Sequence, residues 1–195
     1  MKPLLVLAAC PVVLMGWASC SHSGTGHAAL PDPRAVDKSV PEYKNPFHPS
    51  TYAHFVARKD YRKTYDVYKD DTLLNRQPKK SRKIFVCLDE QRGQYLVDGL
   101  VAMDFPLSSG VKAYPTKTGD YAVISKKEDH ASNLYGKMYD AEGKCINYNA
   151  ESTDPIPEGG RFDGSPMPYW QRLTNAGLGL HVGKVRRHPV SHGCV

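Results

Sequence analysis

The sequence has 195 residues and a formal net charge of +6 at pH 7. This length fits one domain of ordinary size with additional segments, and a domain of about 130–150 residues buries roughly two-thirds of its unfolded surface. The charge suits a polyanionic envelope surface. The same charge is compatible with nucleic-acid binding, but no base-stacking platform or groove-reading motif accompanies the basic residues, which disfavours that interpretation.

The N-terminus predicts export. An uncharged apolar run from Leu4 to Trp17 follows a single basic residue. The run is shorter than the ~20 residues of a membrane-spanning helix but matches the apolar core of a signal peptide. We therefore expect residues 1–20 to be a signal peptide and the protein to reach the periplasm or cell envelope. Cleavage is expected either at a lipoprotein-type site, with lipidation at Cys20 as the only membrane contact, or at an ordinary secretory site near Ala18.

Two segments precede the part of the sequence that is typical of a compact domain. Residues 21–50 are rich in Ser, Gly, His, Pro and Ala and predict a flexible tether. Residues 51–82 form a basic, aromatic extension, which we expect to be short helices packed on the domain rather than a separate binding module. The helical spacing is carried by Phe55, Arg58, Arg62 and Tyr65.

From residue 83 onward the sequence changes to short β-favouring runs separated by Gly and Asp turns. Their length and spacing predict a mainly β domain, either a sandwich or a barrel, over residues 83–195. The predicted strands cover residues 83–88, 94–97, 100–109, 121–124 and 177–182.

Lys126–Pro168 interrupts this pattern with a long polar stretch that lacks periodicity. Such a stretch predicts a functional loop or a lid over a site. The segment Met167–Leu173 at its end predicts one helical turn.

The end of the sequence concentrates reactive side chains, with a thiol, three imidazoles and a hydroxyl within Leu180–Val195. This density is not expected of core packing. Beyond the predicted signal peptide the chain has Cys87, Cys145 and Cys194, an odd number, so at least one thiol is free or pairs elsewhere. A free thiol in an oxidising compartment is a candidate reactive group.

Cys194 and His181 are the pair predicted to carry the chemistry. A cysteine is a nucleophile only as the thiolate and needs a neighbouring base. His181 lies thirteen residues before Cys194, and a strand, loop and return would bring the two side chains together. Gly193 permits a sharp turn in which backbone amides stabilise an oxyanion, and Ser191 can orient an imidazole.

Two other interpretations of this segment remain open. A zinc site is one, but Pro189 and Gly193 make a shared helical face for its ligands unfavourable. An inert core thiol is the other. His188 lies in a basic loop and is expected to be solvated. The candidate zinc ligands are His181, His188, His192 and Cys194.

The segment SHGCV at residues 191–195, preceded by GLGLHVG at residues 177–183, closely resembles the active-site signature of the L,D-transpeptidase (YkuD-type) catalytic domain family. The resemblance extends upstream, since Ser108–Gly110 and Pro115–Gly119 are similar to the family's S-T-G…T-P-x-G stretch, with Lys117 in place of the usual proline. In all it covers roughly residues 83–195.

This resemblance implies a YkuD-like β-sandwich with a mixed sheet, short helices and a groove capped by residues 126–168. It implies that Cys194 is the nucleophile and His181 the proton donor and acceptor. Ser191, His192 and Gly193 would shape the loop and the oxyanion hole. No metal and no organic cofactor are required.

The resemblance also implies which residues line the substrate groove. We expect Tyr169 and Trp170 to be among them. Arg187 lies in the loop before Cys194, where a guanidinium can meet a substrate carboxylate. A solvated basic loop is the alternative interpretation for Arg187.

The implied reaction is acyl transfer on peptidoglycan stem peptides through a cysteine thioester. An amine of a neighbouring stem would give a 3→3 cross-link, an amine of an envelope protein would give an anchor, and water would give L,D-carboxypeptidase activity. The alternatives are a catalytically inactive cell-wall-binding lipoprotein and a different cysteine peptidase. Because the family continues with a further strand after the cysteine, we also expect the sequence to be truncated at Val195.

Overall fold

The computed structural model describes residues 31–78 and 81–195, together with the backbone of the strand Leu4–Ala8. Within these residues the protein is mainly β, with several sheets and two short helices, which confirms the predicted fold class. The rest of the predicted signal peptide lies outside the described residues, so the signal peptide stays a prediction. Nowhere in the described part of the chain is a helix long and apolar enough to cross a membrane.

The helices are α1 (Tyr52–Ala57) and α2 (Asp71–Asn75), with a 3₁₀ turn at Tyr61–Lys63. The strands are, in chain order, β1 (Leu4–Ala8), β2 (Tyr68–Lys69), β3 (Arg82–Cys87), β4 (Arg92–Val97), β5 (Leu100–Pro106), β6 (Gly119–Ala122), β7 (Ser125–Lys127), β8 (Ala131–Tyr139), β9 (Cys145–Glu151), β10 (Arg161–Pro166), β11 (Trp170–Arg172) and β12 (Gly179–Leu180).

The largest sheet has the strand order β2-β5-β4-β3-β1-β6. Strands β3, β4 and β5 form an antiparallel meander. Its β4–β5 hairpin is the one predicted from the sequence. Asp98 and Gly99 join β4 to β5 with φ angles of 51° and 87°, the pattern of a two-residue hairpin turn. The backbone of β1 pairs in parallel with β3 and antiparallel with β6, so the sheet is mixed.

The hydrophobic core next to the C-terminal segment Leu180–Val195 is a cluster of buried aliphatic side chains. Val195 packs against this cluster, together with Leu178 and Leu180. The residue that follows Cys194 is therefore tied to the interior by apolar contact, which limits where the thiol can lie. The buried members are Val86, Leu107, Val123 and Leu173.

The predicted helical turn within Met167–Leu173 is wrong, because residues 170–172 form strand β11. This strand pairs with β12 on one side and with β7 on the other. Two flanking strands satisfy its backbone groups, and that tertiary pairing outweighs a weak local helical preference.

Most of the aperiodic stretch Lys126–Pro168 folds into a small antiparallel sheet of order β10-β8-β9, here called the lid sheet. Many of its side chains are exposed, so an alternating apolar pattern is missing from the sequence. Glycines allow its backbones to approach closely, since a Cβ at Gly164 would overlap the Ser132 carbonyl and one at Gly136 the Asp163 carbonyl.

The N-terminal extension packs on the largest sheet through α1 and joins it through β2. Of the four residues with helical spacing, Phe55 lies in α1 and Arg62 in the 3₁₀ turn, while Arg58 and Tyr65 lie outside both. Thr51 caps α1 by accepting a hydrogen bond from the His54 amide, and Phe55, Val56 and Tyr61 form a second buried cluster. Residues 21–30 of the predicted flexible tether lie outside the described residues, and some of the later residues in that segment contact α1. Those contacts run from Lys38 Nζ to the Val56 carbonyl, from Tyr43 to the Ala57 carbonyl and from Asn45 to the His54 carbonyl.

Asp104 joins the extension to the sheet through a buried polar network. Its Oδ1 accepts from Arg92 Nε at 2.7 Å, and its Oδ2 accepts from the hydroxyls of Tyr52 and Tyr61, each at 2.7 Å. The side chains of Arg92 and Asp104 are 2% and 0% exposed. Burial and the charge of Asp104 raise the pKa of both phenols, so both remain protonated donors.

Candidate active site

The backbone of the final residues forms the candidate site. The Val195 amide donates to the Gly179 carbonyl, and the Val195 carbonyl accepts from the His181 amide, both at 3.0 Å. These two bonds pair Val195 in parallel with Leu180 of β12. Cys194 therefore lies beside Gly179, and His181 follows directly after the strand, two residues further along.

The thiol of Cys194 is half-buried. Its Sγ lies 3.5 Å from the Gly177 carbonyl, to which it donates. Burial raises the pKa of Cys194, and a backbone hydrogen bond at Gly179 opposes that shift only partly. The group is therefore a neutral thiol at neutral pH, and a base must remove its proton before it can attack a carbonyl.

His181 has the hydrogen bonding of a base. Its Nδ1 lies 3.0 Å from the Val182 carbonyl. A carbonyl oxygen can only accept, so Nδ1 carries a proton and, in the neutral ring, Nε2 holds a free lone pair. The Trp170 ring lies 6.3 Å from the imidazole between centroids, and Gly183 passes close enough that a Cβ there would contact the ring.

The turn into Cys194 is closed by Ser191. Its Oγ donates to the Cys194 carbonyl at 2.5 Å and accepts from the Gly193 amide at 3.2 Å. Gly193 has a φ of 114°, a conformation that side chains disfavour. In this conformation the Gly193 amide is engaged within the turn rather than directed at the thiol.

Ser109 holds the same turn from the neighbouring segment. Its carbonyl accepts from the amides of Val190 and Ser191 at 2.8 and 3.0 Å. Gln91 fixes Ser109 in turn, since its side chain accepts from the Ser109 amide and donates to the Ser109 hydroxyl. Both side chains are buried, so this support is shielded from water.

Thr116 also holds the turn before Cys194. It was not among the site residues predicted from the sequence. Its hydroxyl donates to the Gly193 carbonyl at 2.7 Å and accepts from the Gly110 amide at 2.9 Å. A Cβ at Gly110 would overlap the Tyr114 carbonyl and approach Gly193 Cα to 2.8 Å. The resemblance covered this stretch but did not reveal that it contacts the turn.

Thr116→Val should loosen the turn and speed alkylation of Cys194 by iodoacetamide. The replacement is close in shape but removes two hydrogen bonds, each worth about 1 kcal/mol, so the rate should rise by up to about thirtyfold. Mass spectrometry after timed labelling measures the rate at each cysteine. Thr153→Val, at an exposed position, is the control. An unchanged Cys194 rate in Thr116→Val would show that Thr116 does not hold the turn.

An aromatic cluster connects His192 to the lid sheet. The His192 ring stacks on Tyr135 with centroids 4.0 Å apart and an interplanar angle of 14°, and Tyr114 lies 4.8 Å from it. Burial chiefly raises the pKa of Tyr135, and nearby Cys194 contributes to the shift. The lid sheet therefore lies close to the thiol.

The three residues predicted to bind substrate lie in different environments. Tyr169 is 63% exposed, with a φ of 55°, and is open to a ligand. Trp170 is 3% exposed and forms the wall behind His181. The guanidinium of Arg187 lies over the Tyr65 ring at 5.7 Å from its centroid.

The histidines and cysteines considered as zinc ligands or disulfide partners do not come together in a metal site or a disulfide within the described residues. Within the part of the chain that the structure describes, no group of three or more His, Cys, Asp or Glu is arranged to hold a metal ion. His188 is exposed, with Nδ1 3.3 Å from the Pro189 carbonyl. Cys87, Cys145 and Cys194 are all free thiols, and Cys87 is buried.

Comparison with known families gives one extended match. Residues 81–195 match the family model for the L,D-transpeptidase catalytic domain, YkuD. No curated protein matches the chain at a significant level.

Solved structures similar to this chain are L,D-transpeptidases. One from Mycobacterium smegmatis has a TM-score of 0.38 and 23% identity, covering 55% of this chain and 44% of that chain. A mutant of the Enterococcus faecium L,D-transpeptidase has a TM-score of 0.34 and 30% identity, covering 50% of this chain and 30% of that chain. The chain thus spans less than half the length of these two proteins.

Proposed function

Because the chain belongs to the L,D-transpeptidase catalytic domain family, YkuD, we propose that the protein is a cysteine-dependent L,D-transpeptidase acting on peptidoglycan stem peptides. The observation that carries this proposal is the pairing of Val195 with Gly179 and His181. It joins the segment that carries the half-buried thiol of Cys194 to the segment that carries His181. The Nδ1 of that imidazole lies 3.0 Å from the Val182 carbonyl.

Acylation begins with proton transfer from the Cys194 thiol to Nε2 of His181. The thiolate attacks the carbonyl at the L-centre of the third stem residue and forms a tetrahedral intermediate. The C–N bond to the terminal D-amino acid then breaks, and His181 returns the proton to the leaving amine. The product is a thioester on Cys194. The raised pKa of Cys194 supports the need for such a base.

Deacylation needs a second nucleophile. Three classes of nucleophile are possible, and analysis of the products distinguishes them. An amine of another stem gives a 3→3 cross-link, an amine of an envelope protein gives an anchored protein, and water gives L,D-carboxypeptidase activity. Each nucleophile, amine or water, loses a proton to His181 as it bonds to the acyl carbon. The C–S bond then breaks, and His181 returns the proton to the Cys194 thiolate. We further propose export to the periplasm or cell envelope, which the apolar run Leu4–Trp17 supports.

Incubation with a carbapenem tests the proposed function, because a strained β-lactam ring is opened by the same nucleophile. We expect one covalent adduct by intact mass, and we expect peptide mapping to place it on Cys194 rather than on Cys87 or Cys145. Treatment with a chelator should leave the yield unchanged.

Two outcomes would replace the proposal. A folded protein that binds peptidoglycan but forms no adduct would favour the inactive cell-wall-binding lipoprotein. Loss of activity with a chelator, restored by zinc, would favour a metal-dependent hydrolase.

A further inference from the structure

The N-terminal extension contacts the loop that runs from His181 to Cys194. The hydroxyl of Tyr65 donates to the Arg186 carbonyl at 3.2 Å, and the Tyr65 ring lies under the Arg187 guanidinium. Tyr65 precedes residues 81–195, which match the family model. A segment outside the matched domain thus reaches the loop that precedes the candidate nucleophile.

The contact falls at a strained position of the loop. Arg187 has a φ of 57°, which is unfavourable for a residue with a Cβ and persists only where the surroundings enforce it. The carbonyl of Arg186 and the amide of Arg187 belong to one rigid peptide unit, whose orientation relative to the Arg187 Cα defines that φ. A hydrogen bond to the Arg186 carbonyl therefore restrains the angle directly.

The other side of Arg186 is also held. Its amide donates to Ser108 Oγ at 2.7 Å. Arg186 is thus fixed by Ser108 through its amide and by Tyr65 through its carbonyl. A short distance onward, the Val190 and Ser191 amides meet the Ser109 carbonyl. The direction set at Arg187 determines how the chain returns to Cys194.

Tyr65 can restrain the loop because its own backbone is fixed, although its side chain is 59% exposed. Arg92 donates to the carbonyls on both sides of Tyr65, from Nη1 to Thr64 at 3.2 Å and from Nη2 to Asp66 at 2.8 Å. Arg92 is itself held by the buried carboxylate of Asp104. The restraint on the loop therefore rests on the sheet.

We propose that Tyr65 is a positioning residue for acyl transfer, acting through Arg186 and Arg187 to hold the loop that delivers Cys194 to His181. This inference rests on the proposed function and adds to it. The N-terminal extension then contributes to acyl transfer by positioning the catalytic loop, in addition to packing on the sheet.

The test compares Tyr65→Phe and Tyr65→Ala with the wild type. The phenylalanine variant keeps the ring under Arg187 and loses only the hydrogen bond, so the carbapenem acylation rate should fall about threefold at an unchanged half-saturating concentration. The alanine variant loses both contacts, and its rate should fall about tenfold. Hydrogen exchange at residues 183–190 should accelerate in the same order.

Tyr43→Phe is the matched control, because it also removes a tyrosine hydrogen bond to a carbonyl, that of Ala57 at 2.8 Å, without touching the loop. It should leave both acylation and loop exchange unchanged. Wild-type acylation and loop exchange in both Tyr65 variants would overturn the inference. If the wild type forms no adduct, the proposed function fails, and hydrogen exchange alone still decides whether Tyr65 holds the loop.

Discussion

His181→Ala should lower the rate of carbapenem acylation at pH 7 by at least about 100-fold, the usual contribution of a positioned general base. The expectation follows from two features of the site. Burial raises the pKa of Cys194 and keeps it a neutral thiol, and His181 is held with Nε2 free to accept a proton. Time-resolved intact mass measures the rate, and Cys194→Ala, which should form no adduct, defines the background.

The pH dependence separates loss of the base from general damage. In His181→Ala, thiolate must come from ionisation in solution, so the residual rate should climb as pH rises toward the raised pKa of Cys194. The wild type should depend on pH much less in that range. His188→Ala is the control, since its residue is exposed and its Nδ1 lies 3.3 Å from the neighbouring Pro189 carbonyl. A larger loss in His188→Ala than in His181→Ala would overturn the assignment of the base.

Asp104→Ala should lower the free energy of unfolding by about 3–5 kcal/mol, as expected when one partner of a buried ion pair is removed. The substitution leaves the Arg92 guanidinium, which is 2% exposed, without its counter-charge. It also removes the acceptor of the Tyr52 and Tyr61 hydroxyls, whose burial makes the loss costly. Urea denaturation followed by circular dichroism measures the change.

Asp163→Ala is the matched control for this experiment. Asp163 also pairs with an arginine, Arg161, but the two side chains are 49% and 55% exposed. Such a surface pair contributes about 0–1 kcal/mol. Equal effects of Asp104→Ala and Asp163→Ala would show that the buried network does not hold the extension on the sheet.

The class of the fold and the hairpin of the largest sheet were predictable because their signals are local. Lys83–Cys87 is a β-favouring run, and Asp98-Gly99 is a turn that requires positive φ angles. The lid sheet and strand β11 were not predictable in the same way. The pairing of β10 with β8 and of β11 with β7 joins segments far apart in the sequence. In the lid sheet, many side chains are also too exposed to leave a clear alternating pattern.

The sequence by itself determined which chemistry-bearing residues the chain has, the thiol of Cys194 with His181 before it, because their identity and spacing need no structure. Only the tertiary structure decided what surrounds them. Tyr65 and Thr116 meet the loop and turn from distant segments, and Tyr135 brings the lid sheet onto His192. The physical reason is that contacts made through backbone carbonyls and ring faces depend on the approach of two chain segments and leave no mark in the sequence of either one.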